Sequence, residues 1–233
     1  MNANSGAPKD KKSQENANGS KPRRGPRQRM RFTERKAQIL ETAGEFFAEN
    51  GLTAQTRGLA EKCGISQRLL YRFFPSKEDL LEEVYSSSIV GPFKAVWFAE
   101  LQDRTRSVEE RLQRFYKDYF DAVLTRKWLR LFIYSSLSDV GMAPNYISTI
   151  VTQMLEIIMV EAAVERSIEL PDEKAAVHEM GWTLHGMVSH YAIRRHLYGA
   201  SLGIPEDGVL ALHIRMFLDG FEPMVRSYNE RRS

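Results

Sequence analysis

Residues 64–80, GISQRLLYRFFPSKEDL, crowd three basic side chains and three aromatic rings between a glycine and a Pro-Ser pair. Arg68, Tyr71 and Arg72 stand three and four apart, so a helix here carries one basic, aromatic edge. An ordinary core helix would bury its rings and turn its charges to the opposite side. Ser66 is placed to cap this helix, expected over 67–73, and Pro75-Ser76 to end it. Leu70 and Phe74, four apart with Phe73 beside them, are expected to pack inward.

Working outward, Thr33 is a plausible cap for a first helix over about 33–49. Its apolar positions Ile39, Leu40, Ala43, Phe46 and Phe47 recur at helical spacing before Asn50-Gly51 stops it. Thr56 is expected to cap a short second helix to about Lys62, and Gly64 to supply the tight turn after it. Ser76 is expected to cap a long fourth helix, with Glu78 and Asp79 at its positive end. Short helices joined by a glycine turn make a helix-turn-helix. Its second helix would lie in the DNA major groove.

On that reading Gln67, Arg68 and Leu69 face base edges: Gln pairs with adenine, Arg with guanine, and Leu meets a thymine methyl. Tyr71, Arg72 and Lys77 suit phosphates, as do Thr56 and the amides of its helix. The competing reading is an amphipathic helix with solvated charges.

Three segments, ILETAGEFFAENG, TRGLAEKCGIS and LLYRFFPSKEDLL, resemble the DNA-binding domain of the tetracycline-repressor (TetR) family of bacterial regulators. Leu70, Tyr71, Phe74 and Lys77 match the family pattern. Arg68-Leu69 stands where the family often has a small pair, and Gly58 where an acid is common. Contact roles therefore carry over, and base identities do not. The resemblance also places Arg57 and Ser66 among the DNA-contacting residues. It implies an all-α homodimer whose C-terminal domain binds a small ligand, with ligand binding lowering DNA affinity.

The bulk properties agree with such a class. The chain has 233 residues, 42% of them hydrophobic, enough for a substantial core. Residues 1–31 hold nine Lys/Arg against two acids, a balance of +7, so the remainder of a chain whose total is +3 carries −4. Residues 1–30 read as a disordered basic arm, either following a polyanion or serving as a solubilising tail. Domains are expected at 31–78 (helix-turn-helix) and 79–233 (ligand binding and dimerisation). One cysteine, Cys63, precludes an internal disulfide and fits a reducing compartment. The first 30 residues hold no apolar core of a secretory signal, and no stretch reads as a membrane helix. A cytoplasmic protein with no membrane partner is the expectation.

The rest also reads as helix. Residues 108–124 step by three and four, 128–137 form a shorter apolar helix, and Pro144 opens one that is apolar nearly all round. Pro171 starts a helix to about Leu197 and Pro205 the last, to about Ser227. Aromatic and soft side chains nominate a ligand pocket: Trp97, Phe98, Tyr116, Phe120, Trp128, Phe132, Met154, Ile158, Trp182 and His185. Any one of them is as readily core. The last two helices read as a dimer interface through Val188, Tyr191, Ala192, Arg195, Val209, His213, Met216, Phe217, Gly220, Phe221 and Met224. Packing within one subunit is the alternative. The histidines of 178–196 lack the i, i+4 pairing of a metal site, so no metal and no cofactor are expected. No nucleophile elbow or phosphate loop argues for an enzyme. The expected function is a DNA-binding repressor of a pseudo-palindromic operator, released by an unknown small-molecule effector. An architectural DNA-binding dimer without a ligand, or a ligand-dependent activator or corepressor, would share the same reader.

Overall fold

The helix-turn-helix pattern is borne out locally by its capping chemistry. In the computed structural model, which describes Met1 and residues 32–138, 145–200 and 203–231, Ser66 Oγ accepts the Leu69 amide at 3.1 Å and starts a helix at Gln67. Gly64 supplies the turn with φ +64°, a conformation that suits glycine. The order is α1 (Phe32–Asn50), α2 (Thr56–Lys62), α3 (Gln67–Phe73), α4 (Lys77–Tyr85), α5 (Val96–Leu101), α6 (Val108–Ala122), α7 (Arg126–Ser136), α8 (Thr152–Arg166), α9 (Lys174–His196) and α10 (Glu206–Glu230). Wider π-helical turns, Ser86–Val90 and Ile147–Val151, extend α4 and precede α8. The fold is all-α, with no strand among the described residues. The expected basic arm beyond Met1, and Pro144, lie outside the described residues.

Thr56 does not cap α2; Gln55 stands at the cap position and Thr56 is the first helical residue. Ser76 caps α4 as expected, in a reciprocal box with Asp79. Ser107 and Glu110 repeat that device at α6. α5, which sequence periodicity did not reveal, is one and a half turns pinned by a single side chain. Trp97 is fully buried, and its indole donates to Asp118 at 2.8 Å.

The N-terminal helices close around Ile39, Phe47, Leu59, Leu70, Phe74 and Leu80, all at most 2% exposed. α4 and its π turn lead into a C-terminal bundle in which α6 packs on α10 and α8 on α9. Gly181 permits the second contact, since a Cβ there would lie 3.0 Å from Leu155 Cβ. A buried ion network ties α6 to α8. Arg111 reaches Glu161 at 2.8 Å, and Arg104 grips the same carboxylate at 2.9 Å through two nitrogens. These guanidinium contacts hold the Glu161 carboxyl below its usual range.

Two expectations need correction. The stretch Ile147–Arg166 is, by length and composition, long and apolar enough to cross a membrane, with mean hydropathy 1.6. Not all of its apolar surface is buried in the bundle. Met154, Leu155, Ile158, Met159 and Ala162 are buried, whereas Val160 and Val164 are 46% and 47% exposed, and the polar Glu161 is inside.

Candidate functional site

α3 is amphipathic in the sense a groove reader needs. Leu70 is 1% exposed and Phe74 fully buried, while Gln67, Arg68, Tyr71 and Arg72 are exposed. Arg68 and Arg72 make no hydrogen bond or ion pair to the described residues, so their guanidinium groups are available to a polyanion. Leu69 is only half exposed, which narrows the expected apolar contact. Arg57 is exposed beside them and pairs with Glu61 one turn along α2, at 3.2 Å.

Three expected contact residues form a small network instead of standing free. Thr56 Oγ1 accepts from Gln67 Nε2 at 3.0 Å and shares a hydrogen bond with Tyr71 Oη, also at 3.0 Å. Thr56 is 6% exposed, so its hydroxyl is a hub between α2 and α3 and not an open phosphate anchor. Its effect is to fix the Gln67 amide and the Tyr71 ring relative to α2. The Ser66 hydroxyl is likewise committed to its cap. Lys77 is half-buried at the start of α4, with its ammonium 5.9 Å from the centre of the Phe47 ring. Gly58 has a local explanation: a Cβ there would meet the Phe46 ring at 3.3 Å, so the α1–α2 contact favours a residue without a side chain. Burial pushes the Cys63 thiol up, which keeps it protonated and unreactive.

The C-terminal domain holds a cavity of about 290 Å³ between α6, α7, α9 and the start of the Ile147–Val151 turn. Of the ten nominated residues, Trp128, Phe132, Trp182 and His185 line it. The other six do not. Trp97, Tyr116, Phe120, Met154 and Ile158 are at most 2% exposed in the core, and Phe98 packs half-buried at its edge. Phe120 stacks on Tyr191 at 5.3 Å, which explains why an aromatic at pocket spacing is filled core. Sequence reasoning missed Tyr119, Tyr146, Ser136 and Ser189, which also line the cavity. Tyr119 was visible within an apolar run, but nothing in a one-dimensional pattern shows which ring borders a void.

Several of the residues expected at a dimer interface are likewise packed within this chain. Val188, Tyr191, Ala192 and Phe221 are fully buried within the chain, and Val209 and Phe217 nearly so. Arg195 pairs with Glu206 at 3.2 Å. His213 and Met224 are half-buried. Met216 (59% exposed) and Gly220 remain outward on α10, joined by Leu212 at 51%.

An exposed basic helix seated on a glycine-turned partner is the arrangement of a helix-turn-helix DNA-binding domain, here joined to a helical bundle with an aromatic cavity. Residues 39–84 match the family model of the tetR family of bacterial regulatory proteins. A relative, the HTH-type transcriptional repressor KstR2 of Mycobacterium tuberculosis (strain ATCC 25618 / H37Rv), is 34% identical over 90 residues, which cover 38% of this chain and 44% of the repressor. The KstR2 of Mycolicibacterium smegmatis is 32% identical over 90 residues, 38% and 43% of the respective chains. The chain thus matches less than half the length of these curated relatives. Over more of its length it shares a fold with a TetR-like transcriptional regulator from Rhodococcus sp. RHA1, at TM-score 0.62 and 19% identity, covering 82% of this chain and 97% of that one. Thermus thermophilus FadR, a TetR-family transcriptional repressor solved in complex with lauroyl-CoA, aligns at TM-score 0.51 and 19% identity, covering 80% and 94%. These proteins are regulators and not enzymes.

Proposed function

We propose that the chain is a transcriptional repressor that binds a two-fold-symmetric operator as a dimer, in the cytoplasm, and releases it when a small organic molecule enters the α6–α9 cavity. The observation that carries the reading is the division of α3: Leu70 is buried while Arg68 and Arg72 are exposed and unpaired within the described residues. Arg68 and Gln67 read base edges, and Arg57, Tyr71, Arg72 and Lys77 hold phosphates. Thr56 and Ser66 act by fixing the reader. Residues 1–30 form a basic arm, 31–78 the reading domain and 79–233 the sensing and pairing domain.

Pairing is supported by the uncovered stripe Leu212, Met216 and Gly220, spaced four apart on α10. A Cβ at Gly220, or at Gly186 on α9, would meet nothing of this chain within 4 Å, which leaves room for a second copy to approach closely. Ligand control is supported by the cavity and by relatives of this fold, among them the repressor bound to lauroyl-CoA. A ligand acts only through its preference for one of two states. The test is selection of bound duplexes from a random pool near physiological salt. Enrichment of one symmetric sequence is the expected result. General, salt-sensitive binding alone would overturn it in favour of an architectural role.

A further inference from the structure

Resting on the effector-cavity reading, we infer that the cavity takes an uncharged, compact, largely aromatic molecule bearing one hydroxyl or carbonyl oxygen, which meets His185 and the Tyr119 and Tyr146 hydroxyls. The lining is apolar on most sides: Trp128, Phe132 and Trp182 supply flat faces, and aliphatic side chains fill between them. Trp128 and Phe132 stack 4.6 Å apart and within 13° of parallel, a slab suited to a flat ring.

The polar groups are few and neutral. His185 is 4% exposed, and its Nδ1 has no hydrogen-bond partner among the described residues. Burial lowers its pKa to about 4, so the imidazole is uncharged at neutral pH. Tyr119 and Tyr146 bring their hydroxyls within 3.5 Å of each other at the same cavity, and burial drives both phenols upward in pKa. A buried imidazole with an idle nitrogen and two tyrosine hydroxyls can both donate to and accept from one ligand oxygen.

No Lys, Arg, Asp or Glu lines the cavity among the described residues. The six residues between Ser138 and Asn145 include no Lys, Arg or His. A ligand carboxylate or phosphate seated beside His185, Tyr119 and Tyr146 would therefore lie buried without a counter-ion. The volume, at the small end of the roughly 300–1,000 Å³ usual for ligand sites, favours a compact ring system over a molecule as large as an acyl-CoA.

The experiment is isothermal titration of the purified full-length protein with three probes: 4-phenylphenol, 4-phenylbenzoate of nearly equal size, and lauroyl-CoA. The expected result is binding of 4-phenylphenol at one per chain and about 100-fold weaker binding of the carboxylate. His185→Phe should weaken 4-phenylphenol about 10-fold while leaving unsubstituted biphenyl unaffected. Ser136→Trp, at an exposed position on the lining, should block all cavity binding without altering the melting curve.

Failure of 4-phenylphenol to bind overturns the inference. So does tighter binding of 4-phenylbenzoate or lauroyl-CoA, or indifference of 4-phenylphenol to Ser136→Trp. Release of a selected operator is read separately. Lauroyl-CoA that binds best and releases DNA would sink this ligand class and keep the effector reading. Tight 4-phenylphenol that never releases DNA would do the reverse.

Discussion

The indole N–H of Trp128 donates to the backbone carbonyl of Ile89 at 3.0 Å, joining a ring that lines the cavity to the π turn that continues α4. The rest of α7 repeats this bridging on another side. Arg130 donates to the carbonyls of Ala48 and Glu49 at the end of α1, and Lys127 reaches Glu41 at 2.6 Å. α7 therefore touches the cavity, the α4 extension and the first helix of the reading domain at once. A ligand that shifts Trp128 would be felt along two routes. Trp128→Phe keeps an aromatic ring but leaves the Ile89 carbonyl without this donor. Urea unfolding is expected to give a loss of about 1–3 kcal/mol. A change near zero would mean that the carbonyl finds another partner.

Arg68 and Arg72 lie four apart on α3, yet different consequences are expected for their loss. Arg68→Ala should cost about 1–3 kcal/mol at one base position and relax the choice there. Arg72→Ala should weaken all sequences alike and lower the salt slope by about 1. Anisotropy titrations against a selected operator and its single-base variants, at several salt concentrations, separate the two. Uniform loss for Arg68→Ala would move it to the phosphates.

Glu161 is the partner of two arginines, and Arg111 among them is 4% exposed. Glu161→Gln removes the nearest carboxylate from the buried Arg111 charge and leaves it only Glu165, at 3.6 Å. A loss of about 3–5 kcal/mol is expected from urea unfolding. Adding Arg111→Met should recover part of it, because no uncompensated buried charge remains. A double variant worse than the single would show that the network stabilises beyond charge balance.

His185 sets a pH dependence whose sign follows from burial. Its pKa falls from 6.5 unfolded to about 4 folded, so between those values the unfolded chain binds a proton that the folded chain refuses. Stability is untouched above pH 6.5 and declines as pH drops through that window. This group's share is at most about 3 kcal/mol. His196 and His213, also lowered by burial and by neighbouring arginines, act in the same direction. Denaturant midpoints at pH 7, 6, 5 and 4.5 should fall less steeply for His185→Phe than for the parent. Parallel curves would mean that His185 is protonated in the folded state.

The reader was legible because its determinants are local. Ser66, Gly64, Ser76 and the pair Leu70 and Phe74 act within a few residues of one another, so spacing and caps specify them. The cavity was not. Trp128 and Trp97 look alike in sequence, but one borders a void and the other is locked to Asp118. That difference depends on where α5 and α7 settle against α6, which no single helix encodes. Several residues expected at an interface turned inward for a related reason. Tyr191 and Phe221 present large apolar surface that this chain itself consumes, and the stripe left uncovered includes Leu212, which pattern alone had not singled out. Thr56 shows a subtler limit, since a hydroxyl suited to phosphate serves equally well to steady Gln67.

The π turn at Ser86–Val90 sets the rotational phase between α1–α4 and the C-terminal bundle. There the Gly91 amide reaches back to Ser86 at 2.9 Å, so the turn holds one residue more than an α-helical turn would. Each residue of an ordinary α-helix advances the direction by about 100°. Deleting one residue here would keep every α-helix yet turn α1–α4 by about that angle against the bundle, at the cost of the Lys127 and Arg130 contacts that hold α1 on α7. Gly44 guards the present setting, since a Cβ there would fall 2.7 Å from Ser88 Oγ. Chain length at this one joint, with no change to any side chain of α3, would thus re-aim α3 relative to the bundle.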